Sequence, residues 1–261
     1  MTAAEAFHAQ RSVGAVSLRM GAGGIIRRRE SGAAKVRMPP AENLAMLINT
    51  GGGLAGGDDF QFDITAEEGA RLAVTGQAAE RVYRSLGPAA TVRVELTAGA
   101  GADLMWLPLE SILFNGAALH RRLEAELAPS ARLLAVESVV FGRTEMGEAM
   151  NLVDFRDRWR IRRGGKLIFA DDIALAGPPP ASKATLAGAK AMATILLVSD
   201  DCERHLQAVR DAFGDRGGAS AWDGKLVARV LATDGFSLRK SLIPALAALA
   251  GPQGLPKVWS F

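Results

Sequence analysis

Nine short stretches, each alternating apolar with polar residues or running apolar for a few positions, follow one another down the first half of this chain. They occupy 14–19, 24–29, 44–48, 60–65, 71–75, 91–96, 103–107, 119–127 and 133–141. Glycine, proline, asparagine or aspartate separates them, and their spacing of about ten to fifteen residues is that of strands and turns. This confines the chain to a mainly β architecture. Helical periodicity appears only later, over 200–213 and 236–249. Ser199, Asp200 and Asp201 are candidate N-caps for the first helix and Gly214 its stop, whereas the second starts near Asp234 or Ser237 and stops at Gly251-Pro252. The stiff segment 176–182 closes a β body of about 10–176. Beyond it, strands over 192–198 and 225–233 alternate with the two helices, so the part from 183 to 261 is expected to pack back onto the sheet as one domain. No repeat of fixed period is visible in the sequence.

The most unusual local feature is the run 49–58, in which Gly51, Gly52, Gly53, Gly56 and Gly57 crowd around Leu54 and Ala55 and lead to Asp58. Glycine-rich loops cradle phosphates when a helix follows. This one ends Gly-Gly-Asp, without the Lys-Ser/Thr of a nucleotide loop, and Phe60 to Ile64 alternates as a strand. A turn or bulge between strands is the favoured reading, and a phosphate- or nucleotide-binding enzyme using loop 51–57 is the alternative.

Of the 261 residues 49% are hydrophobic, enough for a sizeable core, and no apolar run has the length of a membrane span. The N-terminus lacks the basic-then-apolar order of a signal peptide, and the lone Cys202 fits a reducing compartment; a cytoplasmic protein is expected. The net charge of +3 comes largely from Arg27-Arg28-Arg29 and from 156–163. No nucleic-acid motif accompanies these clusters, so they are read as the outward sides of strands.

Residues able to do chemistry are few. His8, His120 and His205 have no metal-ligand spacing, and Cys202 with His205, three apart on a helix, is better read as a core cysteine beside a surface histidine. Four carboxylates stand out. Asp58, Glu110, Glu137 and Glu148 lie in motif-like segments, mostly beside glycine or proline. Each either caps a turn or pairs with Arg81, Arg84 or Arg143, or else turns inward and requires a polar cavity. The stretch 241–249 is apolar on more than one face, which marks either a core helix or a docking face.

Ordered motifs then point to a family. The run 49–58, the segment 74–85 with Gln77 and Tyr83, the Trp106-Leu107-Pro108-Leu109-Glu110 segment, and the Gly142-Arg143 segment through Gly147 and Glu148 resemble the UreD (UreH) family of urease accessory proteins, as does the ending Pro256-Lys257-Val258-Trp259. The resemblance implies a layered, β-helix-like or sandwich-like β body carrying two C-terminal α-helices. It also implies a non-catalytic chaperone that works with UreF, UreG and the urease apoprotein. No cofactor is permanently bound, and Ni²⁺ is in transit through a polar channel along which Asp58, Glu110, Glu137 and Glu148 are the candidate metal residues. Gly76, Glu80 and Leu109 depart from the family pattern, and Glu80 reverses the charge of a common lysine.

Overall fold

The computed structural model describes residues 11–40, 42–143, 147–182 and 184–260; His8 lies outside them. The chain opens with a hairpin of β1 (Val13–Gly21) and β2 (Gly24–Gly32), then β3 (Ala34–Arg37). From there it winds as a solenoid in which each coil adds one strand to each of two sheets. β4 (Leu44–Asn49) and β5 (Asp59–Ala66) form the first coil. The second contains β6 (Arg71–Gly76), the short β7 (Glu80–Val82) and β8 (Ala90–Ala98). The third contains β9 (Asp103–Leu107), β10 (Ser111–Leu113) and β11 (Ala117–Leu127), and the fourth β12 (Arg132–Phe141) and β13 (Val153–Arg163). Strands stack in parallel from coil to coil: β4, β6, β9 and β12 in one sheet, β5, β8, β11 and β13 in the other.

The two corners of each coil differ. On one side, tight turns over 67–70, 99–102 and 128–131 end in the buried alanines Ala70, Ala102 and Ala131. Gly69 N donates to Ala100 O, Gly99 N to Ala66 O and Ala128 N to Ala98 O, all within 2.9 Å. On the other side the connections are longer and vary in length. Leu44 therefore lies beside Ala73, Ala73 beside Met105 and Met105 beside Leu134, in unequal steps of about 30 residues. That inequality is why no fixed period shows in the sequence.

β14 (Lys166–Gly177) closes one sheet as a hairpin with β13. β15 (Ala191–Val198), β17 (Lys225–Ala232) and β16 (Gly217–Trp222) extend the other sheet beyond β12 in that order, each antiparallel to the strand before it. One core lies between the sheets, among Leu18, Phe60, Ile64, Leu72, Leu104 and Trp159. A second lies on the outer face of the extended sheet, where Met105, Leu134 and Ile195 meet α1 (Leu206–Phe213) and α2 (Gly235–Leu249). The architecture is mainly β with two C-terminal helices, as the strand pattern and the resemblance imply.

All nine extended stretches fall within strands. The helix expected over 200–213 is shorter than its pattern: Cys202–His205 is a 3₁₀ turn, α1 begins at Leu206, and no side chain caps it. Gly214 stops it at φ 54°. For α2, Asp234 is the N-cap, accepting from Ser237 N at 2.7 Å. The apolar run 241–249 buries Leu242, Ala245, Leu246 and Leu249 in the second core and leaves Pro244 and Ala247 exposed. The basic run 156–163 is the outward phase of β13: Phe155, Trp159 and Ile161 point inward, while Arg156 and Arg158 pair outside with Asp154 and Asp172.

Candidate functional site

Coil winding gathers the sequence motifs at one place. The glycine run 49–58, the segment 77–85, the segment 108–115 and the described residues Gly142, Arg143, Gly147 and Glu148 belong to the long corners of four successive coils, stacked one on another. Leu54 bridges Val82, β7 pairs with β10, and β10 with the end of β12.

At the first corner Asp58 draws the loop closed, accepting from Ala55 N at 2.8 Å and from Ser12 N at 2.7 Å. Asn49 accepts from Gly51 N and donates to Gly53 O and to Glu80 Oε1. Glycine is required by close approach: a Cβ on Gly53, at φ 149°, would sit 2.5 Å from the Tyr83 ring, and one on Gly56 2.0 Å from Ser85 Oγ. The Tyr83 hydroxyl donates back to Gly52 O at 3.1 Å. Tyr83 then stacks edge-on with Phe114, and the Arg143 guanidinium lies 4.4 Å from the centre of that ring, so one column runs through the corners. The loop's N–H groups are largely spent internally, since Gly51, Gly52, Leu54, Ala55 and Gly57 all donate within the protein. A strand, not a helix, follows. This removes the basis of the phosphate-cradle alternative.

Behind the corner, between the sheets, lies a cavity of about 290 Å³. Leu47, Leu54, Phe60, Phe62, Val94 and Trp106 give it apolar walls, and Asn49, Gln77, Glu80, Ser111, Arg121 and Glu137 bring polar groups; Pro108 also lines it. At its inner end sits a buried ionic triad. Arg121 holds Asp157 through two bonds, Nε to Oδ1 at 3.2 Å and Nη2 to Oδ2 at 2.6 Å, and reaches Glu137 Oε2 with Nη1 at 2.5 Å. Nη1 also approaches Ser111 Oγ at 3.3 Å. The Trp106 indole N–H donates to Glu137 Oε1 at 2.9 Å, and that of Trp159 to Asp157 Oδ1 at 3.2 Å, so each carboxylate is held by a tryptophan as well as by the guanidinium.

Electrostatics follow from this burial. Desolvation pushes the Glu137 carboxyl up to about 7 although Arg121 and Trp106 pull it down. Glu80, half-buried in the cavity wall, is also pushed up to about 7, chiefly by desolvation, with Asn49 opposing and Asp58 adding to the rise. For Arg121, burial works against the charge, but Asp157 and Glu137 outweigh it and hold the group more firmly protonated than usual.

Of the four carboxylates singled out in the sequence, Glu137 alone is among the residues lining the cavity. Asp58 is the loop anchor described above. Glu110, in the corner between β9 and β10 after Pro108, pairs with Arg239 of α2 at 2.5 Å, and Arg239 in turn lies over Trp259, whose indole donates to Leu107 O at 3.1 Å. Glu148 accepts from the main-chain N–H of Asn115 and of Arg143 and from the Arg143 side chain, which holds its carboxyl below the ordinary range despite burial. Gly142 N donates to Leu113 O, and Gly142 and Gly147 turn this corner at φ 79° and 67°. Cys202 is fully buried in the second core, and the His205 Nε2 accepts from Arg204. His120 pairs with Asp154 on the outer face at 3.0 Å. Among the described residues, no group of three or more His, Cys, Asp or Glu side chains is placed to hold a metal.

Sequence reading missed Arg121, Asp157 and the cavity position of Glu80. A signal for the first two was present: Arg121 is in phase with Leu119, Leu123 and Ala125, and Asp157 with Phe155, Trp159 and Ile161, so strand alternation alone turns both inward.

Fold and site together define a two-sheet β-solenoid whose stacked corners enclose an acid-bearing interior cavity. The model of a family described as UreD urease accessory protein matches residues 10–260. A urease accessory protein UreD of Agrobacterium fabrum is 49% identical over 237 residues, 88% of this chain and 84% of that protein. One from Brucella suis is 45% identical over 256 residues, covering 94% and 91%, and one from Rhizobium johnstonii 48% over 238 residues, covering 88% and 87%. The chain belongs to the UreD family of urease accessory proteins.

Proposed function

We propose that this chain is a non-catalytic scaffold for urease maturation, which docks on the urease apoprotein together with UreF and UreG in the cytoplasm and lets Ni²⁺ pass through its interior to the urease active site. The observation that carries the route is the buried Glu137 at a polar-floored cavity between the sheets. A carboxylate kept in a core is costly unless it is paired and hydrogen-bonded, and Arg121 and Trp106 meet that need for Glu137 while leaving it on the cavity wall. The polar row also continues past Glu137. Its register neighbour Thr194 accepts from Arg229 Nε at 3.2 Å, and Arg229, on the next strand across the sheet, pairs with Asp171 of β14, where the Arg229 side chain is 44% exposed. A string of polar groups thus leads from the glycine corner through the core toward solvent. Oxygen ligands bind a first-row dication more loosely than a cage of imidazoles and thiolates, and a conduit has to release what it takes up. In this reading Glu137 touches the metal, while Asp58, Glu110 and Glu148 keep the stacked corners in shape.

The test is the nickel content of urease purified from a reconstituted operon with and without this gene. Nickel-poor, inactive urease that the gene restores supports the maturation role. Fully metallated urease in its absence overturns it.

A further inference from the structure

The last strand of a sheet leaves a row of main-chain N–H and C=O groups unpaired, and another chain can pair with them. In the sheet built on β12 these edges are covered. The Ala219 carbonyl of β16 accepts from Arg210 Nε at 3.1 Å and Nη2 at 2.9 Å, and at the opposite edge the Val36 N–H of β3 donates to Glu30 Oε1 at 3.1 Å. β2, an edge of the other sheet, is different. Ala33 N donates to Val13 O at 2.9 Å directly across the hairpin, so by antiparallel alternation Ser31, Arg29 and Arg27 bond to β1, while the N–H and C=O of Arg28 and Glu30 point away from it. Among the described residues no hydrogen bond reaches those four groups. The side chains along this edge are cationic. Arg27, Arg28 and Arg29 are all exposed; among the described residues Arg27 and Arg29 have no acidic partner, and Arg28 reaches only Glu30, at 4.0 Å. Just before them Ile25 and Ile26 are 50% and 60% exposed.

We propose that the free edge of β2 is a docking site for an extended acidic segment of another protein, which joins the seven-stranded sheet as a further strand and carries carboxylates at alternate positions. Main-chain bonds to Arg28 and Glu30 hold the segment. Arg27 and Arg29, two apart on one face, are spaced by about 6.8 Å along the strand, which is the repeat of every second residue in an extended partner, so carboxylates at positions i and i+2 meet both guanidiniums. Ile25 and Ile26 add apolar contact at the hairpin end. Glu30 does not oppose this charge, because its carboxylate is turned to Val36 N and to Arg37 at 3.6 Å. Charge also selects among occupants. A second copy pairing edge to edge would set arginines against arginines, and like charges directly opposite are destabilising. A nucleic acid would engage the guanidiniums and leave the strand's N–H and C=O row unbonded. The same arginines that keep copies of this chain apart therefore favour an acidic strand, and the contact is independent of any passage of metal through the interior.

The test uses the full-length protein and a fluorescein-labelled peptide of alternating valine and glutamate, with binding followed by fluorescence anisotropy and the exchange of main-chain amides by nuclear magnetic resonance. The native protein is expected to bind this peptide, and the double variant Arg27→Glu/Arg29→Glu to bind it at least about tenfold more weakly. Arg28→Pro removes an outward N–H from an edge strand, where proline is tolerated, and is expected to bind about threefold or more weakly than Arg28→Gln, which has the same charge. With peptide bound, the Arg28 and Glu30 amides are expected to exchange more slowly. Failure of the native protein to bind the peptide, or an unchanged affinity in Arg27→Glu/Arg29→Glu, overturns the proposal. So does equal affinity of Arg28→Pro and Arg28→Gln, since charge alone would then hold the peptide. If Arg28→Pro does not fold, amide exchange decides in its place, and unprotected Arg28 and Glu30 amides overturn the strand addition. A single-stranded oligothymidylate that binds as tightly as the peptide, or more so, overturns the choice of an acidic strand as partner.

Discussion

Glu80 and Glu137 titrate where few carboxylates do, and the sign of the effect is fixed by burial. Desolvation raises both toward about 7 from the usual 4.5, so between those values the folded protein holds more protons than the unfolded chain. Stability contributed by these groups is therefore present below the unfolded value and is lost as pH rises through the folded one. Glu80→Gln abolishes one of the two titrations. The difference in melting temperature between Glu80→Gln and the native protein should grow in favour of the variant from pH 5 to pH 8, and a flat difference would contradict the burial of that carboxyl. At the same corner, Gly53→Ala pushes a methyl group onto the Tyr83 ring and the Arg81 carbonyl in a backbone region that alanine avoids. A loss of about 1–3 kcal/mol in chemical denaturation is expected, and less than the sum of the single effects when Tyr83→Ala is added.

Among the elements, those with clear alternation were legible from the sequence and those without it were not. β5 and β6 read correctly because apolar residues recur on their inward side or throughout. β7 and β10 have three residues each, too few to show a period, and exist because neighbouring coils offer them partners. β13 was legible only in part: the basic run 156–163 was rightly read as the outward side of a strand, but the inward Asp157 was not foreseen, and its hairpin partner β14 gave no clear signal. The glycine run was recognised as a turn between strands, but its stacking with three later motifs depends on coil pairing that local sequence does not encode. Glu110 and Glu148 looked chemically suggestive because they sit at bends. The bends are where side chains are needed to tie one coil to the next. α2 is tied in the same way, through Arg239 to Glu110 and through the fully buried Trp259 to β9. Trp259→Ala should cost about 3–5 kcal/mol in equilibrium unfolding. An effect below 1 kcal/mol would mean that the C-terminal segment adds little to the second core.

For the molecule as a whole, stacked coils bring residues far apart in sequence to one corner and leave a cavity behind it, while the family relationship ties that architecture to urease. The outer face of the β5–β13 sheet carries the charge: Arg93, Arg122 and Arg158 lie side by side across three strands, each paired with a carboxylate. The interior therefore holds the groups whose placement is hardest to explain by folding alone. The most direct measurement is nickel per urease active site in enzyme matured by Glu137→Gln, with the variant shown to be folded and still captured by the urease apoprotein. Passage of nickel by way of Glu137 predicts assembled but nickel-poor urease. Urease filled to the native level by that variant would contradict the interior route.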